Sequence, residues 1–257
     1  MACIDKVHLY GQSNQPEDSS GVIQAGEDLR NGQIDLVLAG ANCTTATVIR
    51  AAIQTIGLAP GVERVSGGFV MIPPEDKAQA YPLIFADCAV NISPSSHQLY
   101  EIAKQSFLNR EKLRQIGVPG FEQPSRLAFL SFSSGGSAQH KSIEKIRQAH
   151  ALFHRAFPRV SSCGEAQVDA ALIPQIGAQK LGANRLEGPA NVFIFPDLNS
   201  GNIAYKFLER LGNYTAVGPL LQGTAMPFCD VSRGCNSEDI ILATLISSAL
   251  GTPNTPI

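Results

Sequence analysis

The sequence predicts an α/β protein built on largely parallel sheets, and three observations predict it. Short, nearly continuous apolar runs end in glycine, serine or aspartate, as strands buried on both faces do. Helix-length amphipathic stretches lie between and after those runs, the alternation expected of βαβ units. No repeat, heptad or low-complexity tract competes with that reading. The chain has 257 residues, 44% of them apolar and 16% charged, enough to bury a sizeable core in one large or two small domains.

Taken in order, QSNQPEDSSG (12–21) is polar and reads as a mobile segment. IDLVLAG (34–40) is the first strand, followed by a helix over ATVIRAAIQTIG (46–57). SSHQLYEIAKQSFLNREKLRQIG (95–117) is a long helix, RLAFLSF (126–132) a strand, and KSIEKIRQAHALFHRAF (141–157) a helix. ANVFIFPD (190–197) is a third strand, and Asn199 or Ser200 could begin the helix that runs through GNIAYKFLERLG (201–212). SEDIILATLISSAL (237–250) is the last helix, with Asn236 or Ser237 as its cap.

Composition excludes several functions. A formal charge of −2 leaves no broad basic surface for nucleic acid or an anionic membrane, so an anionic ligand must be met by local arginines. MACIDKVHLYGQSNQ lacks a signal-peptide pattern and no apolar run reaches the ~18 residues that span a bilayer, so a cytoplasmic protein is expected. The six cysteines, Cys3, Cys43, Cys88, Cys163, Cys229 and Cys235, form no CxxC pair and read as reduced, mostly buried thiols. Neither GxGxxG, GxxxxGK[ST] nor GxSxG occurs. His150 and His154 lack the carboxylate of HExxH and read as helix-surface histidines, so no metal is expected.

In open α/β sheets ligands sit beyond the carboxyl ends of strands, against helix N-termini. Three stretches occupy such places: GANCTTATVIR, which carries Arg50 into the first helix; SSGGSAQ, where Gly135 and Gly136 admit close backbone approach; and LNSGNIAYK. The SSGGS loop is either an ordinary connection or a contact for phosphate or pantetheine. FCDVSRGCNSED (228–239) is a polar wedge between apolar segments. Asp239 there suits a capping box, whereas Arg233 is poised to hold an anion, and a carboxylate on the next helical turn would lie near that anion as a proton acceptor.

SFSSGGSA (131–138), GEAQVDAALIP (164–174), ANVFIFPDLNSGNIAYKFLERLG (190–212) and GPLLQGTAMPFCDVSRGCNSEDI (218–240) resemble the phosphate acetyltransferase (phosphotransacetylase) family, which includes the phosphate butyryltransferases. Weaker similarity runs through FADCAVNISPS (85–95) and DLVLAGANCTTATVIRAA (35–52), so the resemblance covers roughly residues 30–250. It implies two α/β/α domains around an active-site cleft, a first of residues 1–60 with 225–257 and a second of 61–224. It also implies reversible acyl transfer between coenzyme A and inorganic phosphate, with acetyl-CoA as donor, no resident cofactor, no covalent enzyme intermediate, and a homodimer or other homo-oligomer. By position, Asp239 would take the proton from the thiol of coenzyme A, Arg233 would hold phosphate and offset charge on the carbonyl oxygen, and Ser232 would donate a hydrogen bond to the same centre. Arg50 and Arg210 match arginines that bind phosphate or coenzyme A, and Ser133, Ser134 and Gly135 form a substrate-contacting loop. Cys235 is disfavoured as a nucleophile because the family reaction is direct transfer.

The chain departs from the family pattern in places. Upstream of about residue 30 the family has several strands and helices and a further site arginine, so the resemblance implies a shortened first domain. Gly135 and Met226 stand where lysines are common, and Cys229 where asparagine is usual. Two alternatives follow: a homologue that binds coenzyme A in a regulatory role without turnover, and an enzyme for longer acyl chains or one completed by a second subunit.

Overall fold

Parallel strands cannot be joined by tight turns, and here helices make the crossovers. The computed structural model describes residues 7–10, 19–77 and 81–251. The chain forms two units, Met1–Gly67 with Val217–Ile257, and Gly68–Ala216. It leaves the first unit within strand β2 (Ser66–Ile72) and returns within β7 (Thr215–Gln222). The crossings expected from sequence, 60/61 and 224/225, fall outside those strands.

The first unit contains α1 (Ser20–Arg30), β1 (Val37–Ala39), α2 (Thr45–Thr55), β8 (Phe228–Asp230) and α8 (Ser237–Gly251). β1 pairs in parallel with β8, Val37 opposite Phe228 and Ala39 opposite Asp230, and β8 pairs antiparallel with β7. Thr44 caps α2, its side chain accepting from Thr47 N at 3.2 Å. Val48, Ala51 and Ala52 of α2 are buried, and α1 lies close against the same helix. A Cβ at Gly26 of α1 would fall 2.2 Å from Thr55 Oγ1, so this approach depends on glycine.

The second unit contains β3 (Leu83–Ala86), α3 (Ser96–Gln115), β4 (Arg126–Leu130), α4 (Lys141–Ala156), β5 (Ser161–Ala166), α5 (Val168–Leu172), α6 (Pro174–Leu181), β6 (Val192–Ile194) and α7 (Leu198–Gly212). Its strands run in the order β2-β3-β6-β4-β5, antiparallel at β2·β3 and parallel from β3 onward. Every residue of β4 is buried. Alternation along β4 sends Ala128 and Leu130 into one core with Phe85, Phe193 and Phe195. Phe129 points the other way, onto Phe153 and His150 of α4. A reciprocal capping box of Ser95 and Gln98 starts α3.

The expected strands 34–40, 126–132 and 190–197 all appear, shortened at their ends, and the five expected helices are present. Ser20 and Gly21, read as part of a mobile segment, instead open α1; residues 12–18 of that segment and Cys3 lie outside the described residues. The helix after β6 starts at Leu198, with Asp197 as its cap accepting from Ser200 N at 2.9 Å, rather than at Asn199 or Ser200. Cys43, Cys88, Cys163 and Cys229 are buried free thiols and Cys235 is half-buried. Among the described residues no helix is long and apolar enough to cross a membrane.

Phe153 is fully buried and its ring meets Phe107, Phe129 and Phe157. Phe153→Ala should therefore cost about 3–5 kcal/mol in urea unfolding. A loss below about 1 kcal/mol would contradict that packing.

Candidate functional site

In the first unit, β1 and β8 end level with one another, and each is followed by a loop into a helix. Val231 N donates to Ala39 O at 2.6 Å, which continues the β1–β8 ladder into the loop. Ser232 and Arg233 are exposed immediately after it. The turn is tight: Gly234 N donates to Ser232 Oγ at 3.2 Å and Cys235 N to Ser232 O at 3.0 Å. Asn236 Oδ1 accepts from Glu238 N at 2.8 Å and from Asp239 N at 3.0 Å, while Asp239 Oδ2 accepts from Asn236 N at 2.9 Å. That reciprocal pair is a capping box, so Asn236 is the cap and Asp239 closes the first turn of α8. Capping engages only one of the two carboxylate oxygens through Oδ2. Arg50 stands exposed on α2, the helix that follows β1.

Sequence reasoning passed over Asp230, the last residue of β8. It is 3% exposed, and Thr45 Oγ1 at the start of α2 donates to its Oδ2 at 2.5 Å. Burial pushes its carboxyl up to about 6, against the opposing influence of the Thr45 hydrogen bond and the Arg233 charge. Burial likewise pushes the neighbouring Cys43 thiol up. The signal available in sequence was position alone, an acid closing an apolar triplet at a strand end.

In the second unit, the loop after β4 folds around a buried carboxylate on β5. Glu165 is 3% exposed; its Oε1 accepts from Ser133 Oγ at 2.7 Å, from Gly136 N at 3.1 Å and from Arg147 Nη2 at 3.0 Å. Arg147 Nε donates to Glu165 Oε2. Burial alone would push this carboxyl up, but the Arg147, Ser133 and Gly136 hydrogen bonds together hold it below the usual range. Ser134 Oγ accepts from Gln167 N at 2.9 Å. The Ser133 and Ser134 side chains, expected to face substrate, are thus buried in the loop's own framework. The loop instead exposes Gly135 and Gly136.

Gly135 has φ +56° and a Cβ there would fall 2.4 Å from Lys180 O, which accounts for glycine at this position. Lys180, another residue passed over, places its ammonium 2.9 Å from Gln167 Oε1 and 2.7 Å from Asp169 Oδ2 beside the loop. At the end of β3, Asp87 gathers the backbone N–H groups of Ala89, Val90 and Asn91 at 2.8–3.0 Å.

Arg210 lies apart from that loop. It sits in the last turn of α7, roughly 18 Å along the axis from the strand end at 1.5 Å per residue. Its side chain is 79% exposed, 3.5 Å from Glu209. His150 is half-buried, packed on Phe129 and 3.1 Å from Ser162 Oγ, so it is not the surface histidine expected, whereas His154 is exposed. Cys229, which stands where asparagine is usual, is fully buried, and burial pushes its thiol up to about 12.

The family model for phosphate acetyl/butaryl transferase matches residues 13–248. The chain belongs to that family. It is 42% identical over 218 residues to the phosphate acetyltransferase of Bacillus subtilis (strain 168), covering 85% of this chain and 64% of that protein. It is 45% identical over 226 residues to the phosphate acetyltransferase of Paracoccus denitrificans, covering 88% and 69%. Among solved structures, a phosphotransacetylase from Streptococcus pyogenes superposes with a TM-score of 0.78 at 37% identity, covering 91% of this chain and 66% of that one. The chain therefore spans about two thirds of the length of these relatives.

Arg147→Ala would leave the Glu165 carboxylate buried without its cation. Because the Arg147 side chain is 37% exposed, solvent screens the pair and the expected loss of stability is below that of a fully enclosed pair. Amide exchange should quicken across residues 133–138. Unchanged stability and unchanged protection would show that the ion pair does not hold the loop.

Proposed function

We propose that the chain carries out phosphate acyl transfer: acetyl-CoA and inorganic phosphate interconvert with acetyl phosphate and coenzyme A. The observation that carries this reading is the exposed Ser232–Arg233 turn leading into a helix whose first turn holds Asp239, at the carboxyl ends of two parallel strands. In the thioester-forming direction, Asp239 accepts the thiol proton of coenzyme A. The thiolate adds to the carbonyl carbon of acetyl phosphate, a C–S bond forms, the bond from that carbon to the oxygen bridging to phosphorus breaks, and phosphate departs with the electron pair. Arg233 neutralises the phosphate and the oxygen that becomes negative in the tetrahedral state, and Ser232 donates to the same centre. An ordinary thiol has a pKa of about 8.5, so the proton transfer needs only a modest bias. Arg50 and the glycine-exposing loop 133–136 are assigned to substrate contact, Arg210 to the distal part of coenzyme A. The reading gives no step to a metal or resident cofactor.

Self-association accompanies the proposal. Ile203, Phe207 and Leu211, four residues apart on α7, are 54%, 60% and 76% exposed and make an apolar stripe suited to a second copy. Buried free thiols favour a reducing, cytoplasmic setting.

Two variants separate chemistry from capping. Asp239→Asn retains an oxygen that can accept from Asn236 N, so melting should change little while kcat for acetyl phosphate and coenzyme A falls ~10²-fold or more. An Asn variant with near-normal kcat would reduce Asp239 to a cap. Arg233→Ala should lower kcat by about 10²-fold with the fold intact, and an unchanged kcat would sink its role in charge stabilisation.

A further inference from the structure

The second unit has a concave feature at the amino ends of β4 and β5, the strand ends opposite those that carry loop 133–136. Helix α3 and the segments entering β4, β5 and β6 enclose a partly open cavity of about 200 Å³ there. Along β4 the two ends are roughly 13 Å apart, four steps of about 3.3 Å from Arg126 to Leu130. A void of about 150 Å³ already holds benzene, so a molecule of roughly six to eight heavy atoms fits.

Two arginines line the cavity. Arg126, the first residue of β4, is 7% exposed and donates from Nε to Pro189 O at 2.6 Å. Its two terminal nitrogens have no partner among the described residues. Arg159 lies exposed in the segment before β5, and among the described residues no ion pair reaches either arginine. Behind this wall Arg110 is fully buried. Its Nη1 donates to Gln123 O at 2.8 Å and to Ser125 Oγ at 3.2 Å, while Nε and Nη2 have no partner among the described residues. Burial pushes Arg110 down to about 10 against the pull of Glu111, and the Arg126 charge pushes the same way. The acids of the lining leave this positive charge in excess. Glu111 is committed to Ser125 Oγ at 2.5 Å and to Arg114 Nε at 2.7 Å, and Glu187 is exposed.

A structural role does not use up Arg126. The segment before β6 is already fastened: Asn191 Oδ1 accepts from Arg126 N at 2.8 Å, Asn191 Nδ2 donates to Pro124 O at 2.9 Å, and Ser161 Oγ accepts from Glu187 N at 3.1 Å. The bond to Pro189 O needs one donor, which a neutral glutamine supplies. A buried guanidinium costs desolvation and brings two further donor groups side by side. Paired terminal N–H groups match the two oxygens of a carboxylate. Ser161 Oγ keeps a hydrogen to donate, and Phe107, Pro124 and Val160 supply an apolar wall. That wall adds nothing for inorganic phosphate and favours an anion with a short hydrocarbon body. A few polar donors set in an apolar-walled cavity are the ordinary make-up of a small-molecule site.

We propose that this cavity binds a small aliphatic carboxylate, its two oxygens held by Arg126 and Arg159 and its hydrocarbon part laid against Phe107, Pro124 and Val160. The site shares no residue with the acyl-transfer reading and does not rest on it.

The test titrates the full chain with sodium pentanoate and follows backbone amide shifts, with pentanamide as the uncharged isostere and inorganic phosphate as the anion without a hydrocarbon part. Pentanoate should shift the amides of residues 125–126, 160–161 and 187 saturably, with a Kd below about 10 mM. Arg126→Gln should weaken that binding about 10-fold or more, as loss of a charge-assisted fork does. Arg159→Ala alters only an exposed side chain, keeps the test open if Arg126→Gln fails to fold, and should weaken binding about 2–5-fold. Arg233→Ala should leave the affinity read at these amides unchanged, which separates the cavity from any carboxylate held by the arginine assigned to phosphate. No saturable shift at these amides, equal binding of pentanamide, tighter binding of phosphate, or unchanged pentanoate affinity in Arg126→Gln or Arg159→Ala would overturn the proposal.

Discussion

The parallel pairing of β1 with β8 is the constraint on which the candidate site depends. It joins a strand from the beginning of the chain to one near its end, in register from Val37–Phe228 to Ala39–Asp230. Because the strands run the same way and stop together, the loops that follow both emerge at one edge, and α2 and α8 both begin there. Three short strand residues on each side could not hold that alignment alone. It is extended by the Val231–Ala39 hydrogen bond and by the Thr45–Asp230 link, which ties the start of α2 to the end of β8.

Buried carboxylates at strand ends recur in the second unit, with different electrostatic settings. Asp87 accepts from neutral donors, three successive backbone amides and the Asn91 side chain, and shapes the loop after β3. Glu165 organises the loop after β4 and is compensated by Arg147 as well as by Ser133 and Gly136. Among the described residues Asp230 has a single side-chain donor, the Thr45 hydroxyl, and burial pushes its carboxyl up to about 6. The same residue class thus builds rigid loops in one unit and a titratable element in the other. Both arrangements follow from how many donors converge on the acid.

The strands legible in sequence are those lying in continuous apolar runs, although β1 is buried only at Val37, and the buried strands SGGFVMI and LIFA were not marked. RLAFL and VFI are continuous apolar runs, and β4 is buried throughout. Strands without that signature escaped: SSCGEA carries hydroxyls and a charge, TAVGPLLQ is interrupted by Gly218 and Pro219, and FCD is only three residues long. The capping alternatives at Asn236 and Asp239 were legible from spacing, since a capping box is local. Asp230 was not, because its meaning comes from Thr45 and Gly40, both far away in sequence. The inward turn of the Ser133 and Ser134 side chains was hidden for the same reason: a glycine-rich loop reads as open to ligand, and only the fold brings Glu165 and Gln167, on the next strand and its flank, against both hydroxyls.

The central claim is that this chain moves an acyl group between coenzyme A and phosphate at the Ser232–Arg233 turn. The most direct test is release of free thiol from acetyl-CoA by the purified protein, followed as inorganic phosphate is added, with arsenate as a second acceptor. The account predicts release that depends on either oxyanion and saturates with it. Thiol release that ignores phosphate and arsenate, or no release from protein that still binds coenzyme A, would contradict it.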